Sequence, residues 1–133
     1  MSQRLPWIVA GVAGLAVAGV LLSQGGPAAL HPEPRPGVTA ERVLPPSLVP
    51  TTLAEAAEAY AAARGAPQLL DGLYCHCECA KHFGHRSLLT CFESDHGSQC
   101  DICMGEALLA TRLAAGGTSL AAIRRAIDER FRS

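Results

Sequence analysis

Between Cys75 and Cys103 the chain gathers all six of its cysteines and four of its five histidines, and this crowding constrains the fold more than any other feature. The segment reads YCHCECAKHFGHRSLLTCFESDHGSQCDICM, with Cys75, Cys77 and Cys79 at alternate positions, then Cys91, then Cys100 and Cys103 as a Cys-x-x-Cys pair. Alternate residues of an extended chain point to one side, so the spacing predicts an arm whose three thiols converge on one centre or bridge adjacent metal ions. The pair is expected on the first turn of a helix, where positions i and i+3 share a face and the N-terminal amides and dipole favour thiolates. Both arrangements supply anionic sulfur, which metal ligation and thiol exchange each require.

The foldable part of the chain is small. From Thr51 to Ser133 it has roughly 80 residues, a size at which a core alone supplies only about 3–5 kcal/mol and a metal or disulfides are commonly added. The expected architecture is all-α, a small helical bundle with one irregular Cys/His-rich loop. Thr51-Thr52 can cap a helix through LAEAAEAYAAAR that Gly65 and Pro67 end, with a narrow stripe of Leu53, Ala57 and Tyr60. A second helix is predicted from Ser98 to Ala115, stopped by Gly116-Gly117, with Cys103, Met104, Ala107, Leu108 and Thr111 on one side. Thr118 or Ser119 caps a last helix whose Leu120, Ile123, Ile127 and Phe131 form a stripe opposite Arg124, Arg125, Asp128 and Glu129.

Residues 1–24 read as an N-terminal membrane anchor or signal segment, because the run from Leu5 to Leu22 carries no charge and approaches the length of a membrane span. Arg4 precedes it and no base follows until Arg35, which puts the cysteines outside a bacterial cytoplasmic membrane on a single-pass protein, or secretes them if the signal is cleaved. Residues 25–50 contain seven prolines and are expected as a semi-extended spacer between that segment and the helical domain at 51–133. Net charge is close to zero and aromatic residues are few, which sets nucleic acid aside as a partner. No protein partner is named by the pattern.

The candidate metal ligands are Cys75, Cys77, Cys79, His85, Cys91, His96, Cys100 and Cys103, enough for two four-coordinate sites. Zinc takes tetrahedral sulfur and nitrogen ligands, whereas thiolate-rich groups with a nearby thioether such as Met104 suit copper(I). His76 and His82 read as solvated loop residues, His31 as a linker residue, and Glu78, Glu93, Asp95 and Asp101 as surface charges or caps. Two alternatives use the same sulfurs: three structural disulfides, and a thiol–disulfide oxidoreductase working through Cys100 and Cys103. Cysteines two apart on an extended chain pair poorly, and disulfides leave the histidines without a task, so metal binding ranks first. No hydrolase constellation is present, and haem attachment would need a histidine where Met104 stands.

The stretch from Tyr74 to Phe131 resembles the bacterial family known for its PCYCGC or CYCXC motif. It shares C-x-C-x-C at Cys75, Cys77 and Cys79, then Gly84-His85, Ser87, Cys91-Phe92, His96-Gly97, Cys100-x-x-Cys103 and the closing GTSLAAIRRAIDERF. It departs at His76, where the motif has tyrosine, and at Tyr74, where it has proline. The resemblance implies an exported, often membrane-anchored cysteine and histidine domain. Selenocysteine in some members of that family implies redox chemistry as the competing role.

Overall fold

The computed structural model describes residues 31–50 and 54–133; the expected membrane segment at 1–24 lies outside them, as does the Thr51-Thr52 cap. No helix among the described residues is long and apolar enough to cross a membrane. Five α-helices are described: α1 (Ala56–Gly65), α2 (Pro67–Asp71), α3 (Cys79–Phe83), α4 (Asp101–Ala115) and α5 (Leu120–Phe131), with short 3₁₀ turns at Pro46–Leu48, Leu88–Phe92 and Asp95–Gln99. No strand occurs among the described residues. The all-α expectation therefore holds for this part of the chain.

Helix α4 is the centre of the body and packs against α1, α2 and α5. Its start is set by Cys100, the N-cap whose sulfur accepts the Cys103 amide, so residues 98 and 99 belong to the preceding 3₁₀ turn rather than to the helix. Helix α5 begins where expected, with Ser119 Oγ accepting the Ala122 amide at 3.3 Å. Ile123 and Ile127 are buried and Leu120 and Phe131 partly so. Asp128, placed on the outer face by periodicity, is buried instead.

Helix α1 is phased differently from its expected stripe. Ala56, Ala59, Tyr60 and Ala63 are buried and Ala57 faces solvent. A helix this rich in alanine offers several nearly equal apolar faces, so the choice falls to its one large side chain. Tyr60 sits edge-on to Phe92 with ring centroids 4.9 Å apart, and its hydroxyl donates to Ser94 O and accepts the Ser98 amide. This anchors α1 firmly to the cysteine segment despite the narrowness of its expected stripe.

Residues 31–50, expected as a spacer, lie along the helical body. Val43 and Val49 are buried in its core. Three arginines of the body hold the segment by its carbonyls: Arg124 donates to Pro32 O at 2.8 Å, Arg86 to Glu33 O and Arg64 to Ala40 O at 3.2 Å. Prolines prevent this stretch from forming its own ladder of hydrogen bonds, but its carbonyls stay free to accept. Arg35 completes the attachment through Asp71, whose carboxylate takes the Arg35 amide, Nε and Nη2 at 2.7, 3.1 and 2.8 Å.

Candidate metal centre

The cysteine segment does not form one extended arm. After Leu73 the chain turns at His76-Cys77, and Glu78 adopts the left-handed conformation at φ 60° before α3 starts at Cys79. This reversal sends Cys75 and Cys77 to one side and Cys79 to another. Their sulfurs enter two different groups.

In the first group Cys75, Cys77 and Cys103 bring their sulfurs within 4.8 Å of one another. The separations are 3.3 Å from Cys75 to Cys77 and 3.5 Å from each of these to Cys103. In the second, Cys79, His85, Cys91 and His96 place one ligand atom each within 4.8 Å of all the others. Cys79 and Cys91 approach to 3.3 Å, and His85 Nδ1 reaches Cys91 at 3.4 Å. These sulfurs are too far apart to be bonded, since a disulfide spans about 2.05 Å. They are close to the roughly 3.8 Å edge of a tetrahedron with metal–sulfur bonds of about 2.3 Å. The two groups touch: Cys77 Sγ stands 3.8 Å from His96 Nε2.

Local structure explains the second group. Helix α3 lasts five residues and is closed by Gly84 at φ 69°, a backbone angle that suits glycine and returns the chain so that His85 faces Cys79. Cys91 is buried in the 3₁₀ turn Leu88–Phe92. His96 opens the next turn, with its amide bonded to Ser94 Oγ. A side chain at Gly97 would meet Cys91 O and the Phe92 ring at 3.0 Å, so the close approach of these two turns requires a glycine there.

The sulfurs perturb one another. The Cys77 thiol is drawn well below its ordinary range by hydrogen bonding from Cys100, Cys103 and Cys75, and Cys91 is lowered chiefly by Cys103 and Cys75. Cys75, Cys79 and Cys103 are pushed up, first by hydrogen bonding with neighbouring thiols and then by burial. Such a cluster holds some thiolates but resists ionising all of its members, because each added charge is buried beside the others. A bound cation removes that obstacle. At Cys100 the Cys103 amide and thiol lower the pKa, but Cys77 and burial outweigh them and the thiol ends raised, contrary to the helix-start expectation.

Seven of the eight candidates thus fall into the two groups, and Cys100 belongs to neither. His82 is exposed as expected, although it lies on α3 and not in a loop. His76 and His31 are not solvated: their side chains are 7% and 6% exposed, and both Nε2 atoms meet Asp128 Oδ1, at 2.9 and 3.1 Å. This polar knot joins the proline segment, the cysteine turn and α5.

Glu106 is a residue that the motif reading missed. It is fully buried on α4, its Oε1 accepts the His76 amide at 2.9 Å, and its Oε2 has no hydrogen-bond partner among the described residues. Burial pushes its carboxyl up to about 8, against smaller lowering effects of the Cys75 thiol and the His76 amide. The signal was its spacing, three residues after Cys103 on the same helix face. A raised acid pKa gives stability that is present below the unfolded value near 4.5 and lost as pH rises to about 8. In the reduced, metal-free protein, Glu106→Gln is therefore expected to gain stability relative to wild type across that window, with the difference levelling off above it. Urea midpoints at pH 5 and pH 9 check this, and an equal difference at both would contradict it.

Residues 37–133 match the model of a family described as proteins of unknown function with a PCYCGC motif. No curated protein and no solved structure matches. Laid on Tyr74 to Cys79, the motif's glycine falls at Glu78, the residue at φ 60°. A left-handed angle costs a non-glycine residue roughly 1–2 kcal/mol, and glycine loses part of that advantage through its freer unfolded chain. Glu78→Gly is expected to stabilise the fold by about 0.5–1 kcal/mol, read from the urea midpoint; a destabilised variant would contradict this account of the turn.

Proposed function

From the premise that the chain belongs to the PCYCGC-motif family, we propose that it is a binding protein for soft transition-metal ions, held outside a bacterial membrane by its N-terminal segment. The observation that carries the metal reading is the second ligand group: two thiols and two imidazoles from four separate points of the sequence, each within 4.8 Å of the rest. That donor set suits tetrahedral zinc. The group of three thiols, without a nitrogen, suits copper(I) or a second zinc. Two ions side by side would neutralise the thiolates of a cluster that is otherwise difficult to ionise. The membrane tether rests on the uncharged run from Leu5 to Leu22. Outside the membrane, bound metal also protects the thiols from oxidation.

The test is stoichiometry by group. Reconstituted reduced and without oxygen, the wild-type protein is expected to bind two ions, Cys91→Ser one and Cys103→Ser one. A wild-type protein that binds none overturns the reading. Loss of both ions from each variant would replace two groups with a single inseparable centre.

One observation favours a second reading. Cys100 is part exposed at the start of α4 and Cys103 is buried behind it, an arrangement that suits an attacking and a resolving thiol. The metal reading stands first because Cys103 already shares its position with Cys75 and Cys77, and because disulfide exchange gives His85 and His96 no task. Turnover of a small disulfide by the metal-free protein, lost in Cys100→Ser, would support the redox role.

A further inference from the structure

The metal centre has a closed back and an open front. Cys75, Cys79, Cys91 and Cys103 are at most 2% exposed. Cys77, His85, His96 and Cys100 are part exposed. On the front lies a cavity of about 380 Å³ whose lining includes Phe83, His85, His96 and Cys100. Phe83 is 65% exposed, an unusual position for a large apolar side chain. Its ring stands edge-on to His96 at 4.9 Å and tilted against His85 at 5.8 Å, at the lip of the cavity.

Cys100 is the cysteine that neither ligand group uses, yet it connects the two regions. On the inner side its sulfur accepts the Cys103 amide at 3.5 Å, and it lies near enough to Cys77 for the two thiols to shift each other's ionisation. On the outer side it lines the cavity. A soft ion in a cellular environment travels bound to a donor rather than as a free ion, and a donor of any size cannot reach sulfurs that are almost fully buried. It can reach Cys100.

Resting on the metal-binding reading above, we propose that Cys100 is the receiving ligand of this centre: it takes a soft ion from a thiol complex at the cavity and passes it inward to Cys77. In the first exchange the bond from Cys100 Sγ to the metal forms as the donor's sulfur–metal bond breaks, and the proton of the Cys100 thiol leaves on the donor's sulfur. In the second, the Cys77 sulfur displaces Cys100 from the ion and Cys100 takes up a proton from the solvent at the cavity. The ion keeps its oxidation state throughout. Phe83 supplies an apolar contact for the donor at the lip.

The test uses the full chain, reduced and anaerobic, with cadmium presented as its glutathione complex and uptake followed by thiolate-to-cadmium absorption in the ultraviolet. Cys100→Ser is the first variant, because serine is a good N-cap and preserves the start of α4. It is expected to reach the same final cadmium content as wild type but about tenfold or more slowly. Cys100→Ala, which lacks any donor atom, is expected to be slowed likewise. Loading of both variants at the wild-type rate overturns the proposal, and so does a lower final content, which would make Cys100 a resident ligand. A wild-type protein that takes up no cadmium overturns the metal-binding reading itself.

Discussion

Stripping the reduced protein of metal is expected to lower its thermal midpoint by well over 10 °C. A ligand that binds only the folded state stabilises it by about 4 kcal/mol at a thousandfold excess over its dissociation constant, and structural zinc sites commonly exceed that. For a domain of about 100 residues each kcal/mol corresponds to about 4–8 °C. The size of the effect follows from what the cluster does in the fold. Cys75, Cys79, Cys91 and Cys103 are buried in the same core as Tyr60, Phe92 and Leu88, so the ligand groups join α3, α4 and both central 3₁₀ turns. Without a cation, thiols lowered by their neighbours are left packed against thiols raised first by those same neighbours and then by burial. Scanning calorimetry with and without a strong chelator, in the presence of a phosphine reductant, reads the difference; equal midpoints would mean that metal does not hold this core together.

Asp71→Ala is expected to cost about 2–3 kcal/mol, or about 10–20 °C. The carboxylate is fully buried and serves the Arg35 amide and guanidinium, the Arg86 guanidinium at 2.9 Å and the Ser87 hydroxyl at 3.1 Å. The cost lies below that of breaking a wholly buried pair because the arginine side chains are 44% and 38% exposed and keep part of their hydration. Burial alone would raise the Asp71 carboxyl, but the bonds from Arg35 and Ser87 outweigh it and hold it below the usual range. A depressed acid pKa gives stability that is present above the unfolded value near 3.8 and lost as pH falls through the folded one. The gap between Asp71→Asn and wild type should therefore narrow as pH drops below about 4, measured by urea unfolding. A gap that stays constant would remove the ion pair from the explanation.

Much of this architecture was legible in the sequence because single residues announce it. Gly116-Gly117 and Ser119 mark the α4–α5 boundary, Gly65 and Pro67 end α1, and the concentration of cysteine and histidine marks the candidate donors. What periodicity could not resolve were choices among near-equal options. Alanines do not phase α1 until Tyr60 finds Phe92. The alternation of Cys75, Cys77 and Cys79 suggests one arm, yet a single left-handed angle at Glu78 divides it between two groups. Other features depend on partners far away in sequence and so leave no local trace. Asp128 is buried because His31 and His76 both reach it, and the proline segment is attached because Arg64, Arg86 and Arg124 accept the task of binding its carbonyls. The burial of Glu106 depends likewise on a distant partner, the His76 amide that donates to its carboxylate.

Five thiols and two imidazoles are grouped as two candidate metal sites, and the proposal is that they hold metal. Elemental analysis of protein purified anaerobically, combined with a count of reactive thiols before and after chelation, tests it most directly. Two soft ions per chain are expected, with the part-exposed Cys77 unreactive while metal is bound and reactive once it is removed. No metal even after reconstitution, with the thiols either freely reactive or paired as disulfides, would contradict it.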